Sequence, residues 1–131
     1  MSGQEMPAHG AFCWNELATR DAGAAKKFYT ELLGWKLKES DAAGVAYSEI
    51  IVGGKHLGGI YQMTAEHGDM PSHWMAYVAV DDVDAVAGRV EELGGKVRMP
   101  PMDIPNVGRF CVINDPSGAT LSLIKLARPS S

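Results

Sequence analysis

The chain has 131 residues, of which 46% are hydrophobic and 21% are charged, so its composition is that of an ordinary globular domain. Its formal net charge is −4 and nothing in the sequence makes a basic footprint, which argues against nucleic acid as a partner. No run of about 18 apolar residues is present, so no membrane-spanning helix is expected. The first residues lack the apolar core of a signal peptide, and we expect one cytoplasmic domain over residues 1–131.

The first predicted helix covers about residues 22–33. Asp21 is a suitable N-cap, because its carboxylate can accept hydrogen bonds from the amides of the first turn. Gly34 can adopt the left-handed conformation that often ends a helix. Three residues recur at helical spacing and are predicted to form the apolar face of this helix: Ala25, Phe28 and Leu32.

Strands are predicted on both sides of this helix, one before it and three after it. Gly53 and Gly54 form a two-residue hairpin signal between the last two strands. A polar segment that holds glycine and proline, residues 64–72, follows. The four predicted strands cover residues 11–17, 35–39, 45–52 and 55–63.

The second half of the chain repeats this order. Asp82 can cap a second helix, and the proline-rich segment 100–107 is predicted to be a loop. The apolar face of this helix is predicted to contain Val83, Val86, Val90 and Leu93. The predicted strands cover residues 73–80, 96–99, 108–114 and 119–126.

The two helical segments align with a constant shift of 61 residues, which carries Asp21 onto Asp82. A period of this length that occurs twice indicates a duplicated module rather than an array of repeats. Each module reads β-α-β-β-β, at about residues 10–63 and 73–127. The predicted fold class is therefore α+β, with two tandem βαβββ modules that form a curved mixed sheet around a cleft.

Three motifs carry a resemblance to a known family: Phe28-Tyr29 before Leu33-Gly34-Trp35, then Val80-Asp81-Asp82-Val83, then Asp115-Pro116-Ser117-Gly118. With them the chain resembles the glyoxalase / bleomycin-resistance / extradiol-dioxygenase superfamily, also called vicinal oxygen chelate proteins. The resemblance implies the duplicated fold and, because members usually dimerise, a homodimer. It does not imply one activity, since the superfamily holds isomerases, dioxygenases, thiol transferases and drug-binding proteins.

Metal enzymes of this superfamily place their ligands at four equivalent strand positions. The resemblance puts these positions on Trp14, Gly59, Met75 and Ser122. None of them supplies the imidazole or carboxylate that the family's metals prefer. We therefore predict neither a metal ion nor a cofactor.

Side chains alternate between the two faces of a strand, so residues that share parity with these positions are expected to line the cleft. Arg109 is added because a guanidinium at the mouth of the second module could bind an anionic group. The predicted ligand-binding residues are Phe12, Trp14, Tyr61, Met75, Tyr77, Arg109 and Ser122.

Glu16 and His73 are the candidate acid/base residues. A carboxylate inside an apolar strand must find a partner or have its pKa raised. A raised pKa would suit a general base, whereas pairing with an arginine, or a position at an exposed strand end, would give Glu16 no catalytic role. Two hypotheses follow, and a third, a purely structural interaction module, is disfavoured by a cleft lined with aromatic side chains. The chain binds a small aromatic or amphipathic molecule in a metal-free cleft, or it is a metal-independent lyase or isomerase. The sequence leaves open whether any reaction is catalysed.

Overall fold

A computed structural model describes residues 6–42, 45–104 and 107–127, and it has the predicted α+β architecture. These residues form eight strands, two α-helices and one short 3-10 helix. The first half contains β1 (Phe12–Thr19), α1 (Ala22–Leu33), β2 (Lys36–Ala42), β3 (Val45–Val52) and β4 (Lys55–Gln62). After the 3-10 helix Ala65–His67, the second half contains β5 (His73–Ala79), α2 (Val83–Val90), β6 (Lys96–Ile104), β7 (Gly108–Asn114) and β8 (Thr120–Leu126).

The chain divides into two compact units. The first unit is Trp14–Met75, and the second unit consists of the described residues on either side of it. Strands of the first unit are ordered β2-β3-β4-β1, with β1 parallel to β4 and the other neighbours antiparallel. The second unit has the order β5-β8-β7-β6, with β5 parallel to β8. The same mixed sheet thus occurs twice, as the duplicated sequence predicts.

The ends of α1 are confirmed as predicted. Asp21 accepts a hydrogen bond at Oδ1 from the backbone N–H of Ala24, at 3.0 Å. Gly34 ends the helix in the left-handed conformation, with φ 74°, and its N–H donates to the carbonyl of Thr30. Both ends are set by residues within the helix and its caps, which is why the sequence alone specifies them.

The predicted apolar face of α1 is wrong in part. Ala25 does pack on the core of the first unit, but its companions there are Ala22 and Tyr29. Phe28 and Leu32 are instead 56% and 62% exposed. The small side chains of the two alanines let the helix approach the sheet closely, and this packing selects one of two overlapping apolar stripes. The core residues beneath the helix are Leu17, Ile50 and Ile60.

Helix α2 is shorter than predicted. Asp82 caps it, accepting from the N–H of Ala85 at 3.0 Å, but the helix ends at Val90. Leu93 is 62% exposed, so its assignment to the apolar face is wrong. The N–H of Gly95 returns to the carbonyl of Val90, and this closes the chain into turns before Leu93 can extend the helix. The buried core beside α2 contains Val80, Val83, Cys111 and Leu123.

The proline-rich segment is strand for most of its length, so its assignment as a loop over 100–107 is wrong. Strand β6 continues to Ile104 and pairs with β7, with register shifts between Val97 and Met99 and between Met99 and Met102. β6 is the last strand in the order, where a proline that lacks an N–H removes no ladder hydrogen bond on its outer side. Residues 105 and 106 of the predicted loop lie outside the described residues.

Gly88 lies exposed inside α2, and a Cβ added there would meet no atom within 4 Å. Gly88→Ala is therefore expected to raise the free energy of unfolding by about 0.5–1 kcal/mol, because alanine loses less backbone entropy in a helix. Urea unfolding followed by circular dichroism measures the change. Gly94→Ala is the matched control with the opposite expected result. Gly94 has φ 97°, a backbone conformation that alanine disfavours, so this substitution should lower the free energy of unfolding. A loss of stability in Gly88→Ala would contradict the assignment of residue 88 to a regular helix.

Candidate functional site

The sheet of the first unit has one face packed against α1 and an opposite face that carries aromatic and acidic side chains. Leu17, Ile50 and Ile60 point toward α1. Successive side chains of a strand point to opposite faces, so their neighbours lie on the other side. We call this opposite side the aromatic face, and all its named members are half-buried: Trp14, Glu16, Tyr47, Glu49 and Tyr61.

A chain of hydrogen bonds connects three of these residues. The indole Nε1–H of Trp14 donates to the hydroxyl oxygen of Tyr47, at 2.9 Å. The hydroxyl of Tyr47 in turn donates to Oε2 of Glu16, at 2.7 Å. Because Trp14 and Glu16 lie two residues apart on β1, one tyrosine from β3 can contact both. The structure thus brings together Trp14 and Glu16, which the sequence predicts as site residues, through Tyr47, which it does not.

Gly59 explains how Tyr47 reaches this position. Its backbone lies between Glu16 on β1 and Glu49 on β3 in the strand register. A Cβ at Gly59 would overlap the ring and hydroxyl of Tyr47, so the ring occupies the space that any side chain at position 59 would need. Glycine inside a strand is a signal of close approach by another group. That signal could have pointed to a ring over Gly59, although not to which ring.

Tyr61 completes the aromatic face. It lies opposite Tyr47 in the β3–β4 register, and the two rings are nearly parallel, with centroids 6.4 Å apart and 13° between their planes. Burial, and secondly the negative charge of Glu16, raise the pKa of the Tyr61 hydroxyl. Tyr61 is therefore a neutral hydroxyl at physiological pH, next to a carboxylate whose charge reaches it.

Glu49 and His56 form a second polar pair on this face, which the alternation of side chains along the strands does not predict. Nδ1 of His56 lies 2.6 Å from Oε1 of Glu49, and their side chains are 28% and 25% exposed. A register shift between Ile50 and Ile51 in the β3–β4 ladder brings His56 to the same side as Glu49. Such an irregularity changes the parity of the residues beyond it, and strict alternation cannot anticipate it.

Arg20 holds the segment 64–72, which links the two halves, through hydrogen bonds to its backbone. Its guanidinium donates to the carbonyl oxygens of Gly68 and Met70, the latter from Nε at 2.9 Å. The linker carries His67, whose ring centroid lies 6.0 Å from that of Tyr61. Arg20 thus holds a polar segment next to one end of the aromatic face.

His73 and Met75 lie at the start of β5, half-buried. Nδ1 of His73 donates to the carbonyl oxygen of Pro71, at 2.9 Å, which fixes the ring orientation. Trp74 between them points toward α1, because its Nε1–H donates to the hydroxyl of Tyr29 at 3.3 Å. His73 and Met75 therefore point away from α1, as the predicted alternation requires.

Three further predicted residues lie in the second unit. Tyr77 on β5 pairs in register with Ser122 on β8, both on the sheet side opposite α2. Ser122 is fully buried, and within the described residues its hydroxyl has no hydrogen-bond partner. Phe12 is 71% exposed. Tyr77 and Ser122 repeat the pairing of Glu16 with Gly59 in the first unit, so the two copies place their candidate residues at equivalent positions.

Arg109, the predicted anion-binding residue, is engaged by carboxylates. Its Nε and Nη2 donate to Asp84 at 2.8 and 2.9 Å, and its Nη1 donates to Asp103 at 3.1 Å. Two negative charges therefore oppose an anion that approaches this guanidinium. The hydrogen bonds from Arg109 hold the pKa of Asp84 below its ordinary value.

Arg109→Met is expected to raise the pKa of Asp84 toward its ordinary value. A folded-state pKa that lies below the unfolded value gives stability that is present above the unfolded pKa and is lost as pH falls through the folded one. The wild-type protein should therefore lose this contribution below about pH 4, whereas the variant lacks it at neutral pH as well. Carboxyl NMR titration measures the pKa. Asp115 is the internal control, because its pKa is lowered by hydrogen bonds within its own turn, mainly from Ser117, and should not change. An unchanged Asp84 pKa in the variant would rule out Arg109 as its cause.

A family model described as "Glyoxalase/Bleomycin resistance protein/Dioxygenase superfamily" matches residues 11–123. The chain belongs to this superfamily. The match covers both βαβββ halves and confirms the resemblance read from the sequence motifs.

Two named bacterial proteins and a solved structure are similar to this chain. A Mycobacterium tuberculosis protein named "Putative glyoxylase CFP32" is 44% identical over 114 residues, 84% of this chain and 43% of that protein. The "Anthracycline biosynthesis protein DnrV" of Streptomyces peucetius is 36% identical over 130 residues, 88% of this chain and 47% of that protein. The chain thus spans less than half the length of these relatives. A crystal structure of methylmalonyl-CoA epimerase from Mycobacterium tuberculosis matches with TM-score 0.65 and 17% identity over 95% of each chain, which shows a shared fold.

The four residues that the resemblance places at metal-ligand positions have side chains that do not suit a divalent ion. The Trp14 indole nitrogen donates its hydrogen to Tyr47, so it offers no lone pair, and the Tyr47 ring covers Gly59. Met75 and Ser122 supply a thioether and a neutral hydroxyl, which the metals of this superfamily do not prefer. Across residues 6–42, 45–104 and 107–127, no three His, Cys, Asp or Glu side chains gather as a metal site would require. In the same residues, no helix is long and apolar enough to cross a membrane.

Proposed function

We propose that the aromatic face of the first unit binds a small aromatic or amphipathic molecule without the help of a metal ion. The Trp14–Tyr47–Glu16 hydrogen-bond chain carries this proposal. It fixes two aromatic side chains and one carboxylate in a single arrangement before any ligand arrives. A site of rigid aromatic surfaces with few polar groups is typical of small-molecule binding.

The name of one relative supports an aromatic ligand. The name of the Streptomyces peucetius relative connects it with the biosynthesis of anthracyclines, which are flat polyaromatic molecules. Stacking on an aromatic side chain adds about 0.5–1.5 kcal/mol beyond the buried area, so three rings on one face favour such a ligand. Of the residues predicted from the sequence, Met75 and His73 extend this proposed site along β5.

The probe for this proposal is 1-naphthalenemethanol, a flat neutral alcohol. We expect it to shift the NMR signal of the Trp14 indole N–H, and Trp14→Ala to weaken its binding about fivefold, because one stacked ring is lost. Trp74→Ala is the matched control, since Trp74 lies on the α1 side and should leave binding unchanged. A probe that shifts the Trp74 signal and not that of Trp14 would place binding elsewhere.

An alternative function is a metal-independent lyase or isomerase. Glu16 favours this alternative. Its carboxylate accepts a hydrogen bond from the Tyr47 hydroxyl, which holds it in a position from which it could take a proton from a bound substrate. His73 is the second acid/base candidate. A ligand found to bind should be incubated with the protein for hours and followed by NMR. Chemical change that Glu16→Gln abolishes would support the enzyme, and an intact ligand would support binding alone.

We also propose that the chain forms a homodimer. Large apolar side chains remain exposed on α1, among them Phe28 at 56%, Leu32 at 62% and Leu33 at 53%. Burial of such a surface against a partner is favourable by about 25 cal/mol per Å². Light scattering should give a mass near twice the 14.0 kDa of one chain. A monomer at micromolar concentration would contradict this proposal and would leave the proposed binding function untouched.

A further inference from the structure

We propose that the ligand of the aromatic face carries a neutral carbonyl oxygen on its ring system, and that this oxygen accepts a hydrogen bond from Nε2–H of His67. This inference rests on the proposed function, because it names the ligand class of the same site. The ligand class is an aromatic ketone or quinone. His67 thereby gains a binding role that the alternation of side chains along the strands does not predict.

The tautomer of His67 is set by its own turn. His67 ends the 3-10 helix that Thr64 caps, and the backbone N–H of Thr64 donates to Nδ1 of His67 at 3.0 Å. A backbone N–H can only donate, so Nδ1 is the accepting nitrogen and carries no hydrogen. The imidazole is then neutral, with its hydrogen on Nε2. In the part of the chain that the structure describes, the ring of His67 makes its hydrogen bonds at Nδ1, so Nε2–H is the donor that remains for a ligand.

The imidazole is fixed in place from both sides. With Thr64 it forms a capping box, a motif in which glutamate or glutamine usually supplies the accepting atom. On its other side, the guanidinium of Arg20 donates to the carbonyl oxygens of Gly68 and Met70. A donor that is positioned before the ligand arrives loses little conformational entropy on binding. His67 is therefore better suited to recognise a ligand than a histidine in an untethered loop.

Tyr61 connects this donor with the aromatic face. The ring centroids of Tyr61 and His67 lie 6.0 Å apart. Because Nδ1 is turned toward Thr64, the Nε2–H bond points away from that residue and can reach a substituent of a ring that stacks on the face. Burial first of all raises the pKa of the Tyr61 hydroxyl, so this group keeps its hydrogen and can donate as well. Both donors are uncharged, so they suit a neutral carbonyl better than an anion, whose desolvation they could not offset.

Two neutral probes of similar size test the inference: 1-acetonaphthone, which has the carbonyl, and 1-ethylnaphthalene, which does not. NMR titration of the Trp14 indole N–H measures the ratio of their affinities. His67→Gln and His67→Glu both keep an oxygen that can accept from Thr64, but only the glutamine keeps an N–H for the ligand. We expect the ratio of ketone to hydrocarbon affinity to be about threefold to tenfold lower in His67→Glu than in His67→Gln, the effect of one neutral hydrogen bond.

His9 provides the matched control. Its Nδ1 also accepts from a backbone N–H, that of Asp81 at 2.9 Å, and it belongs to the second unit. His9→Glu removes an imidazole and adds the same charge, so it should keep the wild-type ratio. A loss in His9→Glu as large as in His67→Glu would show a general effect of charge and would overturn the inference.

A second measurement is independent of affinity. Long-range NMR correlations of the imidazole nitrogens should show the hydrogen of His67 on Nε2, and this nitrogen's signal should move further with the ketone than with the hydrocarbon. A hydrogen on Nδ1, or equal ratios in His67→Gln and His67→Glu, would overturn the carbonyl inference while the proposed binding function stands. If neither probe shifts the Trp14 signal of the wild-type protein, the proposed function itself is wrong.

Discussion

Gly59→Ala is expected to lower the free energy of unfolding by about 1–3 kcal/mol and to break the Trp14–Tyr47–Glu16 chain. The new methyl group would overlap the ring and hydroxyl of Tyr47, which must then swing away from both of its partners. Urea unfolding measures the stability. The NMR signal of the Trp14 indole N–H reports the lost hydrogen bond, and binding of 1-naphthalenemethanol should weaken with it.

A double-mutant cycle provides the control for Gly59→Ala. When Tyr47 is also replaced by alanine, the methyl group at position 59 meets no ring. The loss of unfolding free energy caused by Gly59→Ala should then be much smaller than in the wild-type background, because the effects of substitutions at contacting residues are not additive. Equal costs in the two backgrounds would show that the ring of Tyr47 does not lie over Gly59.

Gly58→Ala should be the more damaging substitution, at or above about 3 kcal/mol. Gly58 pairs with Asn15 on the parallel neighbour β1, and a Cβ there would overlap the backbone carbonyl of Asn15. A side chain such as Tyr47 can rotate out of the way, whereas a backbone carbonyl can move only if the β1–β4 pairing opens. Thermal and urea unfolding measure the loss.

A Cβ at Gly58 would overlap a backbone atom of Asn15 and not its side chain, and this difference provides a control for Gly58→Ala. Asn15→Ala removes side-chain atoms only, so it should not rescue Gly58→Ala, in contrast to the rescue of Gly59→Ala by Tyr47→Ala. Recovery of stability in the Asn15 double variant would mean that the side chain, and not the carbonyl, causes the conflict. The two variants therefore distinguish the displacement of one side chain, in Gly59→Ala, from the disruption of strand pairing, in Gly58→Ala.

The sequence predicts features that depend on a few neighbouring residues. The caps Asp21 and Asp82 and the hairpin glycines Gly53 and Gly54, with φ 58° and 78°, are found where they are predicted. The repeat shift of 61 residues predicts the duplicated order of elements, because both copies satisfy the same local rules. Alternation along β1 also places Trp14 and Glu16 on one face, since a strand without a bulge keeps strict parity.

Features that depend on packing between distant segments are not predictable in the same way. Phe28 and Tyr29 are adjacent aromatic residues of α1, and the helical pattern alone allows either of them to face the core. Only the packing of α1 on its sheet decides that Tyr29 is the one that contacts the core. Tyr47 escapes notice because its role depends on a glycine in another strand. His56 reaches Glu49 because Leu57 is an extra, unpaired residue in β4, and no short sequence pattern in that strand predicts the bulge. Each of these outcomes is decided by a contact between strands or between helix and sheet.

The pairing of Gly59 with Glu16, and of Ser122 with Tyr77, has a consequence for the two copies of the module. Tyr47 lies opposite Tyr61, and the same relation in the second unit joins Phe110 to Ile124. An aromatic side chain therefore occupies the equivalent position of the strand register in both halves. Ser122 has a Cβ where Gly59 has none, so an aromatic ring cannot approach the backbone of position 122 as closely as the Tyr47 ring approaches that of position 59. At this position a single side chain therefore makes the two copies of the module differ: the first copy leaves room for a ring against its backbone, and the second copy does not.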